Sequence, residues 1–302
     1  MMHETCLWHG VVPAITTPFD AAGGVDHEFL ARHANWLVEA GCTGIVPLGS
    51  LGEGATLAFD EKLAIVRTLV ATLGTRAPVI AGIAALSTAE AVRLARECER
   101  LGARGLMVLP PYVYSSDWRE MGAHLRAVIA ATALPVLLYN NPLAYRTDFT
   151  PEQVAELASE FPQVAAIKES SGDLRRLAAL RALIGDRLQL MVGIDDALVE
   201  GVAMGACGWI AGVVNAFPAE SVRLFELART GGSAAAMDLY AWLLPLLRMD
   251  TVPKFVQLIK LMQERVGQGS ARVRAPRLEL DAAERAAALR VIDAAIATRP
   301  PR

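Results

Sequence analysis

Short apolar runs alternate with longer amphipathic stretches along most of this chain. The longer stretches have helical periodicity, and several begin with residue types that cap helices, such as Ser87, Thr150 and Asp173. The apolar runs are rich in β-branched or small residues, which is typical of buried strands. There are eight of them, at residues 11–15, 44–48, 78–82, 105–109, 135–139, 164–168, 189–192 and 208–212. Eight strand–helix units predict an α/β fold, a (β/α)8 TIM barrel, with a doubly wound open sheet as the alternative.

The last part of the chain has a different pattern. Three helical stretches follow one another at 233–247, 252–266 and 281–297, with no apolar strand between them. We therefore predict a catalytic barrel over residues 1–232 and a C-terminal helical extension over residues 233–302. A basic run formed by Arg272, Arg274 and Arg277 lies in the last connection, and we expect it to be a solvated face.

The composition limits the partners of the protein. Of the 302 residues, 53% are hydrophobic and 20% are charged, which is typical of a globular chain rather than a disordered one. A net charge of -3 gives no general attraction to nucleic acid or to an anionic membrane. The four cysteines are far apart, and the N-terminus lacks the pattern of a secretory signal. We expect a cytoplasmic protein whose partners are small molecules or copies of itself.

Polar residues follow several of the predicted strands, at the end where barrel enzymes carry their chemistry. Lys168 ends the sixth predicted strand, Tyr139 ends the fifth, and Ser50 lies in a glycine-containing turn after the second. From the pattern alone, a solvated lysine and a tyrosine used only for packing remain alternatives.

These side chains form a chemically coherent set. A neutral lysine amine can condense with the ketone of a 2-oxo acid and give an iminium that withdraws electrons from the neighbouring carbon. A phenol within reach can transfer protons, while Ser50 and nearby N–H groups can hold the carboxylate. Metal chemistry is disfavoured, because none of the five histidines lies at a predicted strand end or in HxH or HExxH spacing. The residues indicate covalent catalysis by lysine without a metal or a bound cofactor.

The same residues resemble the dihydrodipicolinate synthase/N-acetylneuraminate lyase family of Schiff-base class I lyases. The resemblance covers nearly the whole chain and is carried by residues 10–19, 49–53, 139–142, 167–169 and 193–196. It implies that Lys168 forms the Schiff base, that Tyr139 transfers protons, and that Ser50 is a relay hydroxyl. It also implies a homotetramer or homodimer, and a substrate-binding set of Gly49, Ser50, Leu51, Gly193 and Ile210.

Three positions depart from the family pattern. Leu51 stands where the synthases usually carry a second hydroxyl, and Val113 matches the relay tyrosine that crosses the subunit interface. Ala144 occupies the usual offset of an arginine that clamps the second substrate's carboxylate. Whether Tyr112, Tyr114 or Arg146 replaces these groups stays open.

The leading hypothesis is a Schiff-base lyase of aldolase or dehydratase type that acts on a 2-oxo acid such as pyruvate or a derivative. One alternative is a 1-pyrroline-4-hydroxy-2-carboxylate deaminase of hydroxyproline catabolism, which needs no aldol acceptor site. A second is a 4-hydroxy-tetrahydrodipicolinate synthase, which the missing arginine disfavours. The third, a non-catalytic regulatory protein that binds a 2-oxo acid, is supported by Leu51 and Val113.

Overall fold

The computed structural model describes residues 7–111, 117–231 and 234–301. Seven strands form one parallel sheet in the order β1-β7-β6-β5-β4-β3-β2. All seven consist almost entirely of buried residues, as a sheet covered on both faces requires. The strands are β1 Gly10–Pro13, β2 Ile80–Ile83, β3 Gly105–Val108, β4 Val136–Asn140, β5 Val164–Glu169, β6 Gln189–Val192 and β7 Gly208–Ala211.

The remaining predicted strand, residues 44–48, closes the sheet through isolated parallel bridges. Val46 is bridged to Ala14, which directly follows β1, and Ile45 is bridged to Val79, which directly precedes β2. Backbone bonds support both sides, with Val46 N–H donating to Pro13 O at 2.8 Å and Ile45 N–H to Pro78 O at 3.0 Å. The predicted barrel is therefore confirmed, and the open-sheet alternative is not needed.

Helices follow the strands and cover the sheet. The predicted caps Ser87 and Thr150 each accept a backbone N–H bond in the first turn of their helix. Asp26 and Asp117 do the same. Asp173 is not a cap, because Leu174 is the N-cap residue of the helix that begins at Arg175. The described helices of the barrel are α1 His27–Glu39, α2 Phe59–Leu73, α3 Thr88–Arg100, α4 Trp118–Ile129, α5 Pro142–Tyr145, α6 Pro151–Glu160, α7 Arg175–Ile184, α8 Leu198–Ala203 and α9 Pro218–Arg229.

The C-terminal extension contains α10 Ala234–Leu247, α11 Phe255–Arg265 and α12 Ala282–Ala297. It packs on the barrel: the ring of Trp242 meets Phe217 edge-on at 6.0 Å. Thr16, just beyond β1, donates its hydroxyl hydrogen to Gln263 Oε1 at 2.8 Å. The predicted boundary between residues 232 and 233 lies outside the described residues.

The expectation of a solvated basic run is wrong for Arg274. Its guanidinium lies 4.4 Å from the ring centroid of Phe19 and donates to both carboxylate oxygens of Glu61 at 2.7 and 2.9 Å. The side chain is only 20% exposed. A charge run in the sequence gives no sign of such an aromatic and carboxylate pocket, because both partners come from distant segments.

Cys42 and Cys98 are buried free thiols, whereas Cys6 lies outside the described residues. Within the described ranges, the helices are too short or too polar to cross a membrane.

Candidate active site

Lys168 and Tyr139 are direct neighbours at the carboxyl ends of two strands. They are register partners in the β4–β5 pair, so their side chains leave the sheet on the same face. The Nζ atom of Lys168 lies 4.0 Å from the centroid of the Tyr139 ring. Lys168 is 6% exposed and Tyr139 is 4% exposed. The structure thus brings the two predicted residues together in a buried site at the end of the barrel.

Lys168 also differs from the other lysines in its partners. Within the described part of the chain, it is the lysine that forms no ion pair. The other three each have a carboxylate within 4.0 Å: Lys62 with Glu90, Lys254 with Glu284 and Lys260 with Glu53. A buried ammonium without a carboxylate is costly, which points to a chemical use for this amine.

Gly193 follows β6 and forms a wall against the lysine. A Cβ atom on Gly193 would lie 2.6 Å from Cγ and 2.8 Å from Cε of Lys168, and it would overlap the hydroxyl of Ser170. Only glycine leaves room for the lysine in this position. Ile210 is buried on β7, where it pairs in register with Val12 of β1.

Ser50 connects to the site through a residue that the sequence did not single out. Its hydroxyl is hydrogen-bonded to the phenol of Tyr145, whose ring meets the Tyr139 ring edge-on at 6.1 Å. The phenol oxygen of Tyr139 accepts a bond from Asn141 Nδ2 at 2.9 Å. Ser50, Tyr145, Tyr139 and Lys168 therefore form a continuous series of contacts. Tyr145 lies only six residues after Tyr139. Its contact with Ser50 could not be predicted from the sequence, because the two residues are 95 positions apart and belong to no common motif.

The turn that carries Gly49, Ser50 and Leu51 has a specific backbone. Glu53 adopts a left-handed conformation with φ 54°, and a Cβ atom on Gly54 would overlap the carbonyl of Leu48. Among the described residues, the N–H groups of Ser50 and Leu51 donate to no protein acceptor. The turn thus leaves two backbone N–H groups without a partner among the described residues, and their use by a substrate carboxylate stays a prediction.

A buried ion pair fixes this turn to the C-terminal extension. Lys260 Nζ lies 2.5 Å from Glu53 Oε1, and both side chains are almost fully buried. The second carboxylate oxygen accepts the backbone N–H of Arg274 at 3.0 Å. Losing one partner of such a pair leaves an uncompensated buried charge, so the turn and α11 are strongly coupled.

Asp195 lies fully buried beyond β6. Its carboxylate accepts bonds from Trp209 Nε1 at 3.0 Å, from Gly212 N–H at 3.0 Å and from Val213 N–H at 2.8 Å. Burial raises the pKa of Asp195 to about 6, although these N–H donors favour its charged form. With its oxygens already engaged, Asp195 holds the ends of β6 and β7 together.

The remaining expected groups are placed as follows. Arg146 ends α5 in a left-handed conformation and is exposed. Tyr112, Val113 and Tyr114 lie outside the described residues. No cluster of three or more histidine, cysteine, aspartate or glutamate side chains suited to a metal occurs in the described segments.

A parallel α/β barrel with a buried lysine, two phenols and a hydroxyl turn at the carboxyl ends of its strands has the arrangement of a barrel enzyme. The chain belongs to the dihydrodipicolinate synthetase family, whose family model matches residues 7–295. Its similarity to individual proteins is consistent with this assignment. It is 32% identical over 272 residues to a 4-hydroxy-tetrahydrodipicolinate synthase of Rhizobium meliloti, covering 90% of this chain and 92% of the relative.

Solved structures agree closely with the fold. A dihydrodipicolinate synthase from Aquifex aeolicus superposes with a TM-score of 0.91 at 26% identity, covering 95% of this chain and 98% of the other. A prophage protein of the dihydrodipicolinic acid synthase family from E. coli, solved in complex with pyruvate, gives a TM-score of 0.90 at 28% identity. That comparison covers 96% of this chain and 99% of the other.

Proposed function

We propose that this enzyme is a lyase that forms an iminium between Lys168 and C2 of a 2-oxo acid such as pyruvate or a derivative. The observation that carries the proposal is the buried Lys168 amine, held over the Tyr139 ring and free of any ion pair among the described residues. The pyruvate complex of a structural relative supports the substrate class.

In the proposed reaction, the neutral amine attacks C2 and the carbonyl oxygen leaves as water. The resulting iminium withdraws electrons from C3, so a proton on C3 can be removed to give an enamine. Tyr139 would transfer protons beside Lys168, and Ser50 would relay them. The substrate carboxylate would lie against Gly49, Ser50 and Leu51.

Gly193 and Ile210 would line the pocket for the 2-oxo acid in this proposal. The proposal also includes the cytoplasm as location, a homotetramer or homodimer as assembly, and no resident cofactor, all three on the basis of the family. Residues 1–232 would form the catalytic barrel and residues 233–302 the extension.

Which reaction follows enamine formation depends on the substrate groups beyond C3 and on the residues that bind them. The names of the curated relatives favour a 4-hydroxy-tetrahydrodipicolinate synthase. Against this, Ala144 stands at the offset where the family resemblance places an arginine, and losing a charged hydrogen bond lowers binding by roughly tenfold or more. An eliminating enzyme, such as the deaminase, needs the iminium but no acceptor carboxylate. A non-catalytic protein could use the same lysine only to pair with the carboxylate of a 2-oxo acid, so it would give no C3 proton exchange.

Borohydride trapping tests the proposal. Sodium borohydride with pyruvate should reduce the iminium and leave a permanent adduct on Lys168, located by peptide mass spectrometry. The chain has four lysines, so the modified peptide identifies the site. Lys168→Ala should abolish the adduct, whereas Lys254→Ala, at an exposed lysine, should retain it. The proposal fails if no 2-oxo acid gives an adduct, or if the adduct persists in Lys168→Ala.

A further inference from the structure

Asn141 connects the two phenols of the candidate site. It lies in sequence between Tyr139, near the end of β4, and Tyr145, the last residue of α5. Its side chain makes two hydrogen bonds in opposite roles. The Oδ1 atom accepts the backbone N–H of Ala144 at 3.0 Å, and the Nδ2 atom donates to the phenol oxygen of Tyr139 at 2.9 Å. One half of the amide therefore serves the helix, and the other half contacts the proposed proton-transferring group.

The bond to Ala144 makes Asn141 the N-cap residue of α5, a single turn that begins at Pro142. Asparagine is a preferred N-cap residue and proline is favoured at the first helical position, so the sequence specifies this turn locally. The turn ends at Tyr145, whose phenol is bonded to Ser50. The cap thus helps to place the second phenol.

The cap also fixes which atom of the amide faces Tyr139. Only the amide oxygen can accept the Ala144 N–H, so the NH2 group lies on the side of the phenol, and this group can only donate. A phenol hydrogen lies in the plane of its ring, on one of two sides of the oxygen. Because Asn141 donates from one side, the Tyr139 hydrogen takes the other. Among the described residues, no protein acceptor engages that hydrogen.

The ring of Tyr139 is held from two directions. Lys168 Nζ lies 4.0 Å from its centroid, and the Tyr145 ring meets it edge-on at 6.1 Å. Tyr139 is almost fully buried, so bulk water offers its hydroxyl little solvation. A negative charge that forms on the phenol oxygen then depends on donors in the protein, and among the described residues Asn141 is the donor to that oxygen.

We propose that Asn141 is a positioning residue of the lyase reaction, which directs the Tyr139 proton toward the substrate and stabilises the phenolate that remains after its transfer. This inference rests on the proposed function. As the iminium forms, the Tyr139 O–H bond breaks and its proton joins the hydroxyl of the adduct on Lys168, which leaves as water. The phenolate then takes a proton from C3. The C–H electron pair becomes the C2–C3 double bond of the enamine, and a C2–N electron pair returns to nitrogen.

Two replacements separate this role from the helix cap. Asn141→Asp and Asn141→Ser each keep an oxygen that can cap α5, since aspartate and serine are about as favourable as asparagine at an N-cap. Neither supplies an amide N–H to Tyr139. The carboxylate in Asn141→Asp would also accept the phenol hydrogen and turn it away from the substrate.

The test compares two readouts for each variant. One is the rate of deuterium exchange at C3 of saturating pyruvate, and the other is the pyruvate concentration that half-saturates borohydride modification of Lys168 at equilibrium. Exchange should fall about tenfold in Asn141→Ser and further in Asn141→Asp. The half-saturating concentration should stay within about twofold of the wild type, because the reactive lysine is unchanged. A general disturbance of the fold would impair both readouts.

Thr150→Ala is the matched control. Thr150 caps α6 directly before Pro151, in the same arrangement as Asn141 before Pro142, but it accepts the backbone N–H of Gln153 on a different helix. Loss of this cap should lower the midpoint of thermal unfolding by a few degrees and leave the exchange rate unchanged. The two Asn141 variants should unfold close to the wild-type midpoint.

The outcomes separate the two proposals. Adducts with pyruvate, together with wild-type exchange rates in Asn141→Asp and Asn141→Ser, would overturn the role of Asn141 alone. An equal loss in exchange and in pyruvate affinity would do the same. No adduct in the wild type with any 2-oxo acid, pyruvate included, would overturn the proposed function and the role of Asn141 with it.

Discussion

Tyr145 adds a second phenol to the series of contacts that ends at Lys168. Its hydroxyl is bonded to Ser50, and its ring edge meets Tyr139, whose own hydroxyl is bonded to Asn141. In the proposed reaction, a proton that leaves the substrate at Lys168 would therefore meet two phenols and one hydroxyl within a connected group. At the residue scale, Tyr145 is the strongest addition that the structure makes to the predicted site.

We expect Tyr145→Phe to slow proton exchange at C3 of pyruvate by about 100-fold, since it removes one proton-transfer group and leaves the lysine in place. Ser50→Ala should have a similar effect. Because the two hydroxyls act together, the double variant should be no slower than the slower single variant. Exchange is followed by NMR, and borohydride trapping shows that Lys168 still reacts. Losses that multiply in the double variant, or a wild-type rate in Tyr145→Phe, would show that the two hydroxyls do not form a relay.

At the scale of the elements, a buried polar network joins the start of the barrel to its end. His33 of α1 contacts Asn215, just beyond β7, at 3.3 Å and Gln263 of α11 at 3.1 Å. Asn215 in turn donates to Ala14 O, next to β1, at 2.9 Å. Four segments far apart in sequence are thus held by one histidine and two amides. Burial lowers the pKa of His33 to about 4.

This network predicts a loss of stability in mild acid. His33 is neutral in the folded state down to about pH 4, whereas in the unfolded chain it takes up a proton near its ordinary value of 6.5. The unfolded state therefore binds more protons between these values, and the free energy of unfolding falls as the pH is lowered. Between pH 6.5 and pH 4 this fall in the free energy of unfolding amounts to about 3 kcal/mol. The fall should be absent in His33→Gln, as measured by urea unfolding across pH 4–7.

His27→Gln, on the same helix, controls for the substitution itself. The difference in unfolding free energy between the wild type and His33→Gln should shrink as the pH falls. A difference that is constant across the whole range would show that His33 does not titrate in this way.

At the scale of the whole molecule, the barrel could be predicted because each of its strands and helices is recognisable from a short stretch of sequence. Each strand is a short buried run followed by a helical pattern, and the observed strands begin and end within two residues of the predicted runs, apart from 44–48, which pairs only through bridges. Lys168 and Tyr139 were predictable for the same reason, since strand ends in a parallel barrel meet at one rim.

Other features of the structure depend on contacts between distant segments. Tyr145 reaches Ser50, Asp250 lies against Gly212, and Arg274 packs on Phe19. No periodicity or local motif encodes these pairs, because each depends on how the extension or a loop packs on the finished barrel. The sequence therefore predicted that Lys168 and Tyr139 meet at one end of the barrel, but it did not indicate these long-range contacts.

The central claim is that Lys168 turns a bound 2-oxo acid into a reactive enamine. Deuterium uptake at C3 of pyruvate, read by NMR in heavy water, tests this most directly. We predict rapid uptake with the wild-type enzyme and none above the uncatalysed rate with Lys168→Ala. Uptake that is equal in the two proteins, or absent from the wild type while pyruvate is still bound, would contradict the account and indicate a binding protein.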